Sequence, residues 1–443
     1  MNSKPNKQKG FNLVETIVGV GVFLIVASAC YQVFSALTTS VISSKEKTAA
    51  TNLANEEFEI IRNLSYTNVG VVGGIPAGKI PRTQTLVRNA YSFTVTTTIR
   101  NVDDPFDGTR GGSLNDTSPA DYKLVDLDVT CSNCKNFNTL GFTSLVAPRS
   151  LETLSTNGAL YMQVINSGGV AVPGASLHIV NTHTAPATTI DETTDNNGWF
   201  KIVDAPTGTN VYNITATKSG YSQDQTYPIG GVAGASPVKP DSTVAAGQIT
   251  QLSFAIDQLS TLNVSTVNSS CVATPSIGFS LTGSKLIGTP SVLKYTAHTF
   301  TTDTNGNLSV PNLEWDTYSA LLTSASYDLA GASILPTFSL SPNTTSSIQL
   351  IAVPHVNMAL LVSVRDASNN PIDGATVTLT KTGFNQNKTT NSGTCATPGQ
   401  VFWNGLASGT YTLTVSKIGY QTNTNSALSI STAWKSQIVT LTP

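Results

Sequence analysis

The sequence runs to 443 residues with a formal net charge of −2, and only 11% of them are Asp, Glu, Lys or Arg. That length is too great for one core, so several domains are required, and the balanced charge leaves no basic footprint for nucleic acid. A surface so poor in charge must be covered by Thr, Ser and Asn, which suits many short strands and an extracellular face.

The first element is an apolar run from Leu13 to Leu37, long enough to span a bilayer. Lys4, Lys7 and Lys9 precede it and no acid does until Glu15, so the leader stays cytoplasmic by the positive-inside rule. A carboxylate near the start of such a span costs about 2.5–3.5 kcal/mol, so its presence asks for a reason. Three processing fates compete. A secretory signal would be cut near Ala27-Ser28-Ala29, and Ala27-Ser28-Ala29-Cys30 loosely matches a lipobox. Both fates discard Glu15 and call for a short apolar core, whereas this one continues through Tyr31-Gln32-Val33-Phe34 into a helical pattern.

The third fate follows from the stretch Lys9-Gly10-Phe11-Asn12-Leu13-Val14-Glu15, which closely resembles the start of the type IV prepilin family. The resemblance implies cleavage after Gly10 by a prepilin peptidase and N-methylation of the new terminus at Phe11. It also implies that Glu15 pairs with the Phe11 amine of a neighbouring subunit during assembly. The expected partners are therefore other pilin subunits, the peptidase, the assembly machinery and the membrane. The expected location is the cytoplasmic membrane, crossed once, and then an extracellular filament of a prokaryote.

The helical pattern extends beyond the membrane. Ala50, Leu53, Ala54, Glu57, Phe58, Ile61 and Leu64 fall on one stripe, and Asn68-Gly70 with Gly73-Gly74 end it. From Phe11 to Leu64 such a helix is roughly 80 Å long. Period-two alternation then predicts strands over Thr83–Asn89, Tyr91–Val102, Tyr122–Thr130 and Asn138–Ala147, an antiparallel sheet under the half-helix. Leu124 breaks the parity of Val125, Leu127 and Val129, which leaves the register of that strand open. Between these strands, Asp103, Asp104, Asp107, Asp116 and Asp121 crowd one loop. Oxygen-rich loops can hold calcium, but no EF-hand spacing is present, and no metal is assigned. Cys131-Ser132-Asn133-Cys134 lacks the second ligand pair of a zinc site and the βαβ setting of a redox motif; a turn-closing disulfide is expected.

The remainder repeats. Val172-Pro173-Gly174-Ala175 recurs as Ile372-Asp373-Gly374-Ala375, roughly 200 positions on, which makes two units of about 100 residues with a worn copy at Pro275–Leu281 between them. Thr194-Asp195-Asn196-Asn197-Gly198 answers to Thr302-Asp303-Thr304-Asn305-Gly306, and Lys218-Ser219-Gly220-Tyr221 to Lys417-Ile418-Gly419-Tyr420. Pro-Gly and Asn-Gly steps supply turns and the alternation between them supplies strands, about seven per unit, as in an antiparallel sandwich. The pattern resembles the carboxypeptidase regulatory-like family, a transthyretin-like, Ig-like sandwich, and this implies modules that space, support or bind. None of the expected first strands offers a Lys for an isopeptide cross-link. Cys271 and Cys395 fall in different units and are expected as unpaired buried thiols.

The expected architecture is an α+β pilin module, a long N-terminal helix on an antiparallel sheet, followed by three all-β Ig-like sandwiches. The expected boundaries are 1–10 for the leader, 11–64 for the helix, 65–153 for the head, and 154–257, 258–353 and 354–443 for the sandwiches. Short linkers at Asp257-Gln258-Leu259-Ser260 and Val353-Pro354-His355 predict a stiff rod. No nucleophile–base pair, phosphate loop or cofactor motif occurs; the four histidines form no cluster with acids, so no enzyme and no cofactor is expected. Trp199, Trp315, Trp403 and Trp434 would suit sugar stacking, although Trp199 and Trp403 read as strand-core residues. The leading function is a structural or adhesive subunit, minor or at the tip, of a type IV pilus-like filament with an unknown surface ligand. The alternatives are a pseudopilin of a secretion or DNA-uptake system and a membrane-anchored carbohydrate- or peptide-binding surface protein.

Overall fold

The computed structural model describes residues 12–135, 137–149, 155–335 and 337–443. Helix α1 covers Leu13–Asn63, 51 residues and roughly 75 Å. Its two halves have different surroundings. Every residue from Asn12 to Val41 is exposed, whereas Glu46, Ala49, Ala50, Leu53, Ala54, Glu57, Phe58 and Ile61 are buried. The buried set holds the i, i+3, i+4 stripe, and its alanines let the helix lie close to a sheet. In the exposed half, the hydroxyls of Ser28, Thr38 and Thr39 donate to carbonyls of Ile25, Phe34 and Ser35 at 2.8–2.9 Å, so none is a bare donor.

The sheet under the helix has strands β1 (Thr83–Arg88), β2 (Tyr91–Val102), β3 (Tyr122–Cys131) and β4 (Leu140–Val146), antiparallel in that order. Asn89 and Ala90, both at positive φ, form the two-residue turn between β1 and β2. Val95 faces Val129 and Ile99 faces Val125, and these side chains with Phe93 and Leu127 form the core against α1. The register of β3 is thereby fixed: Lys123 shares the inward parity with the valines, and Leu124 points to the other face. Burial of Lys123 is offset locally. Its Nζ donates to the carbonyls of Tyr66 (2.7 Å) and Val69 (2.5 Å) and lies 4.4 Å from the Tyr66 ring centre.

Three sandwiches follow, each with its own core. Their first strands, Gly158–Ile165, Ser260–Val267 and Met358–Arg365, sit centrally in one sheet. In each case the last strand, Ile249–Ala255, Thr345–Pro354 or Trp434–Thr440, lies parallel beside the first. The wholly antiparallel expectation is corrected here. A first and last strand running the same way put entry and exit of a unit at opposite ends of its sheet. The repeat landmarks have structural jobs. Thr194 and Thr390 each accept from a backbone N–H of the Gly-Ala step (3.0 and 2.9 Å) and donate back to a carbonyl two residues before the Gly (2.8 and 2.7 Å). Tyr212, Tyr318 and Tyr411, buried in the three cores, donate their hydroxyls to Pro206, Glu314 and Ala407 carbonyls at 2.7–2.8 Å, as in a tyrosine corner.

The junctions are bonded through both backbone and side chains. Thr189 donates to Gly73 O (2.8 Å) between head and first sandwich, and Arg82 reaches the Thr189 carbonyl. Ser236–Pro237 of the first sandwich pairs with Leu286–Thr289 of the second. Between the second and third, Trp434 Nε1 donates to Leu329 O at 2.8 Å. Cys271 and Cys395 form a disulfide across the same junction, their Cα atoms 5.4 Å apart. The expectation of free thiols is therefore wrong. The two sandwiches pack side on, which brings the loop after the first strand of one against a loop of the other.

Candidate functional site

The site that the sequence singled out begins at the free end of α1. Glu15 lies in its first turn, where the positive end of the helix dipole favours a carboxylate. Around and beyond it stand Leu13, Val14, Ile17, Val18, Phe23, Leu24 and Ile25, each more than half exposed. One window of this helix has a mean hydropathy of 2.3 with no part of it buried. Gly10 and Phe11, the expected cleavage and methylation positions, lie outside the described residues, so Glu15 has no partner to be described there.

The exposed half-helix leaves the head at a reinforced point. Cys131 and Cys134 are joined in a disulfide, Cα atoms 5.6 Å apart, in the turn after β3. The next residue, Lys135, donates its N–H to Oε1 of Glu46 at 3.2 Å, and Glu46 is 2% exposed. One turn of loop is thus fastened to the helix where it emerges. Further along, Gln84 donates to Glu57 at 2.6 Å; burial holds the Glu57 carboxyl above the usual range. Glu56, paired with Arg88 at 2.8 Å, is held below it by that bond. At the helix end Arg62 donates to Glu59 (2.8 Å) and to Ser144 of β4 (2.9 Å).

The acidic loop folds on itself. Asp103 accepts from the Arg110 N–H at 2.9 Å, Asp116 from Ser118 N–H at 2.7 Å, and Asp121 from the Asp104 N–H. Burial raises the Asp103 and Asp121 carboxyls. Among the described residues no group of His, Cys, Asp and Glu is arranged to hold a metal.

The aromatic and histidine candidates separate. Trp403 is a core residue at 2% exposure. Trp199 is not: it is half-buried beside Lys201, whose Nζ lies 5.9 Å from its ring centre. Trp315 carries Lys285 over its ring at 3.2 Å. His178 meets Asp191 across two strands at 2.5 Å, an acid that linear spacing did not bring to it. His355, in the second linker, meets Asp328, a pairing that no sequence signal announced.

Residues 359–442, the third sandwich, match the model of the carboxypeptidase regulatory-like domain. No curated protein matches this chain. Among solved structures, the TIE protein of Bacillus anthracis aligns with 82% of this chain and 74% of its own at 14% identity and a TM-score of 0.20. A streptococcal ancillary pilin aligns with 64% of this chain and 98% of its own at 14% identity and a TM-score of 0.18. The major pilin subunit of Bacillus cereus aligns with 64% and 99% at 11% identity and a TM-score of 0.16. Scores of this size leave the function to be argued from the chain itself.

Proposed function

We propose that this chain is a non-catalytic, structural and adhesive subunit of a type IV pilus-like filament, minor or at the tip, that displays three sandwiches outside the cell. The observation that carries the reading is the division of α1. One half is packed on its own head, and the other is apolar, bare and led by a single acid. A surface of that kind is stable in a bilayer, and after assembly it is stable among equivalent helices. Glu15 fits that second setting when the amine of a neighbour's Phe11 neutralises it; an unpaired carboxylate there is costly. The three sandwiches explain the minor role, because a head of that bulk is hard to repeat on every subunit of a dense fibre. Other pilin subunits, a prepilin peptidase and an assembly machine are the partners this reading requires.

The decisive measurement is the intact mass and first residue of the protein taken from cells. A polypeptide that starts at Phe11, with or without one methyl group, is the expected result. A start at Cys30 or at Met1 would leave only an anchored string of sandwiches.

A further inference from the structure

The junction of the second and third sandwiches encloses a cleft of about 390 Å³, whose walls include Leu321, Leu329, Tyr327, Trp434, Asp328 and His355. Asp328 is 4% exposed, and both its carboxylate oxygens lie near His355 Nδ1, at 3.0 and 2.9 Å. An ionised carboxylate only accepts, so Nδ1 carries the hydrogen and the ring is oriented by the pair. His355 Nε2 has no protein partner among the described residues, and neither has the Tyr327 hydroxyl. The Trp434 indole N–H is already committed to Leu329 O, so what that ring adds to the cleft is apolar surface.

We propose that this cleft binds one uncharged sugar residue. The chemistry selects among ligand classes. A purely apolar ligand would cover Nε2 and the tyrosine hydroxyl without satisfying either. An anion would face the buried Asp328 carboxylate. A sugar ring offers a C–H face to Trp434, Tyr327 and the leucines, and hydroxyls at its edge to Nε2 and the Tyr327 hydroxyl. The site is also formed in advance. Cys271–Cys395, the Trp434 bond and the side-chain amide of Gln400 on Ala332 hold its two walls together, so little ordering is left to binding. The inference goes beyond the filament reading and does not depend on it, since the cleft lies far from α1 in the chain.

The test uses the full chain in a zwitterionic detergent, with saturation-transfer NMR and titration calorimetry against the methyl glycosides of galactose, mannose, glucose and N-acetylglucosamine. At least one is expected to bind. His355→Ala should weaken it by about tenfold or more. Leu321→Lys, at a wall position that is 41% exposed, should block it while leaving the fold intact. Retention of the Cys271–Cys395 bond, read by mass after alkylation, controls for folding in each variant. Absence of binding by all four glycosides overturns the proposal, as does binding that survives Leu321→Lys unchanged. If His355→Ala loses its disulfide, the Leu321→Lys result decides.

Discussion

Gln400 completes the hydrogen bonding of a residue in a different sandwich. Its side-chain amide accepts from the Ala332 N–H at 3.0 Å and donates to the Ala332 carbonyl at 2.9 Å, and it is 1% exposed. One side chain therefore acts as one more step of strand pairing between two modules. Gln400→Ala should strand both backbone groups in a dry contact, at a cost of about 2–4 kcal/mol. Denaturant unfolding and hydrogen exchange at Ala332 measure it. An unchanged midpoint with an unchanged exchange rate would show that the contact carries no energy.

The disulfide beside it makes a separable prediction. Cys271 and Cys395 close a loop 124 residues in separation, for which chain entropy gives a stabilisation of about 4–5 kcal/mol at most. Replacing both by Ser should lower the melting of the last two sandwiches and split their unfolding into two calorimetric steps. A single unshifted step would mean that the non-covalent contacts alone couple them.

Lys123 predicts an uncommon pH dependence. Burial pushes its ammonium down to about 8, with Asp204 opposing weakly. The folded state therefore releases this proton more readily than the unfolded chain does. Below about 8 both states hold it and the group adds no slope. Between about 8 and about 10.5 the unfolded state binds more protons, so stability should rise with pH, by about 3 kcal/mol at most. Urea unfolding at pH 7.5 and 9.5 reads the effect. Lys123→Met should abolish the rise, and the same slope in that variant would assign it to another group.

The extent to which this structure was legible in the sequence follows from what periodicity encodes. The docked half of α1 could be read from Leu53, Ala54, Phe58 and Ile61, because a helix repeats its inward face at 3.6 residues. The register of β3 could not, because Lys123 occupies an inward position that a polar residue normally avoids, and Leu124 takes an outward one. The repeats were legible because positive-φ turns demand Gly: Gly174, Gly198, Gly306 and Gly374 all adopt it. The parallel closing strands were not, since alternation is the same in either direction. Cys271–Cys395, Gln400–Ala332 and His355–Asp328 depend on how one sandwich leans on the next, and nothing local in the chain states that angle.

The most consequential prediction concerns Glu15. In a subunit still in the membrane its carboxylate is a liability of about 2.5–3.5 kcal/mol, and replacing it should make insertion easier. Packed in a filament, the same carboxylate would neutralise an adjacent amine, and removing it would leave that charge alone, which costs about 3–5 kcal/mol. The two terms have opposite signs, so Glu15→Val should separate the stages. Export, cleavage after Gly10 and the fold of the head should all persist, because the buried residues of α1 begin only at Glu46, far from Glu15. Recovery in sheared filaments should fall by about two orders of magnitude or more, the factor those energies imply at about 1.4 kcal/mol per tenfold. Glu15→Asp keeps the charge on a shorter stem and should recover part of the loss. Filaments that take up Glu15→Val as readily as the parent would leave the acid without a role in assembly.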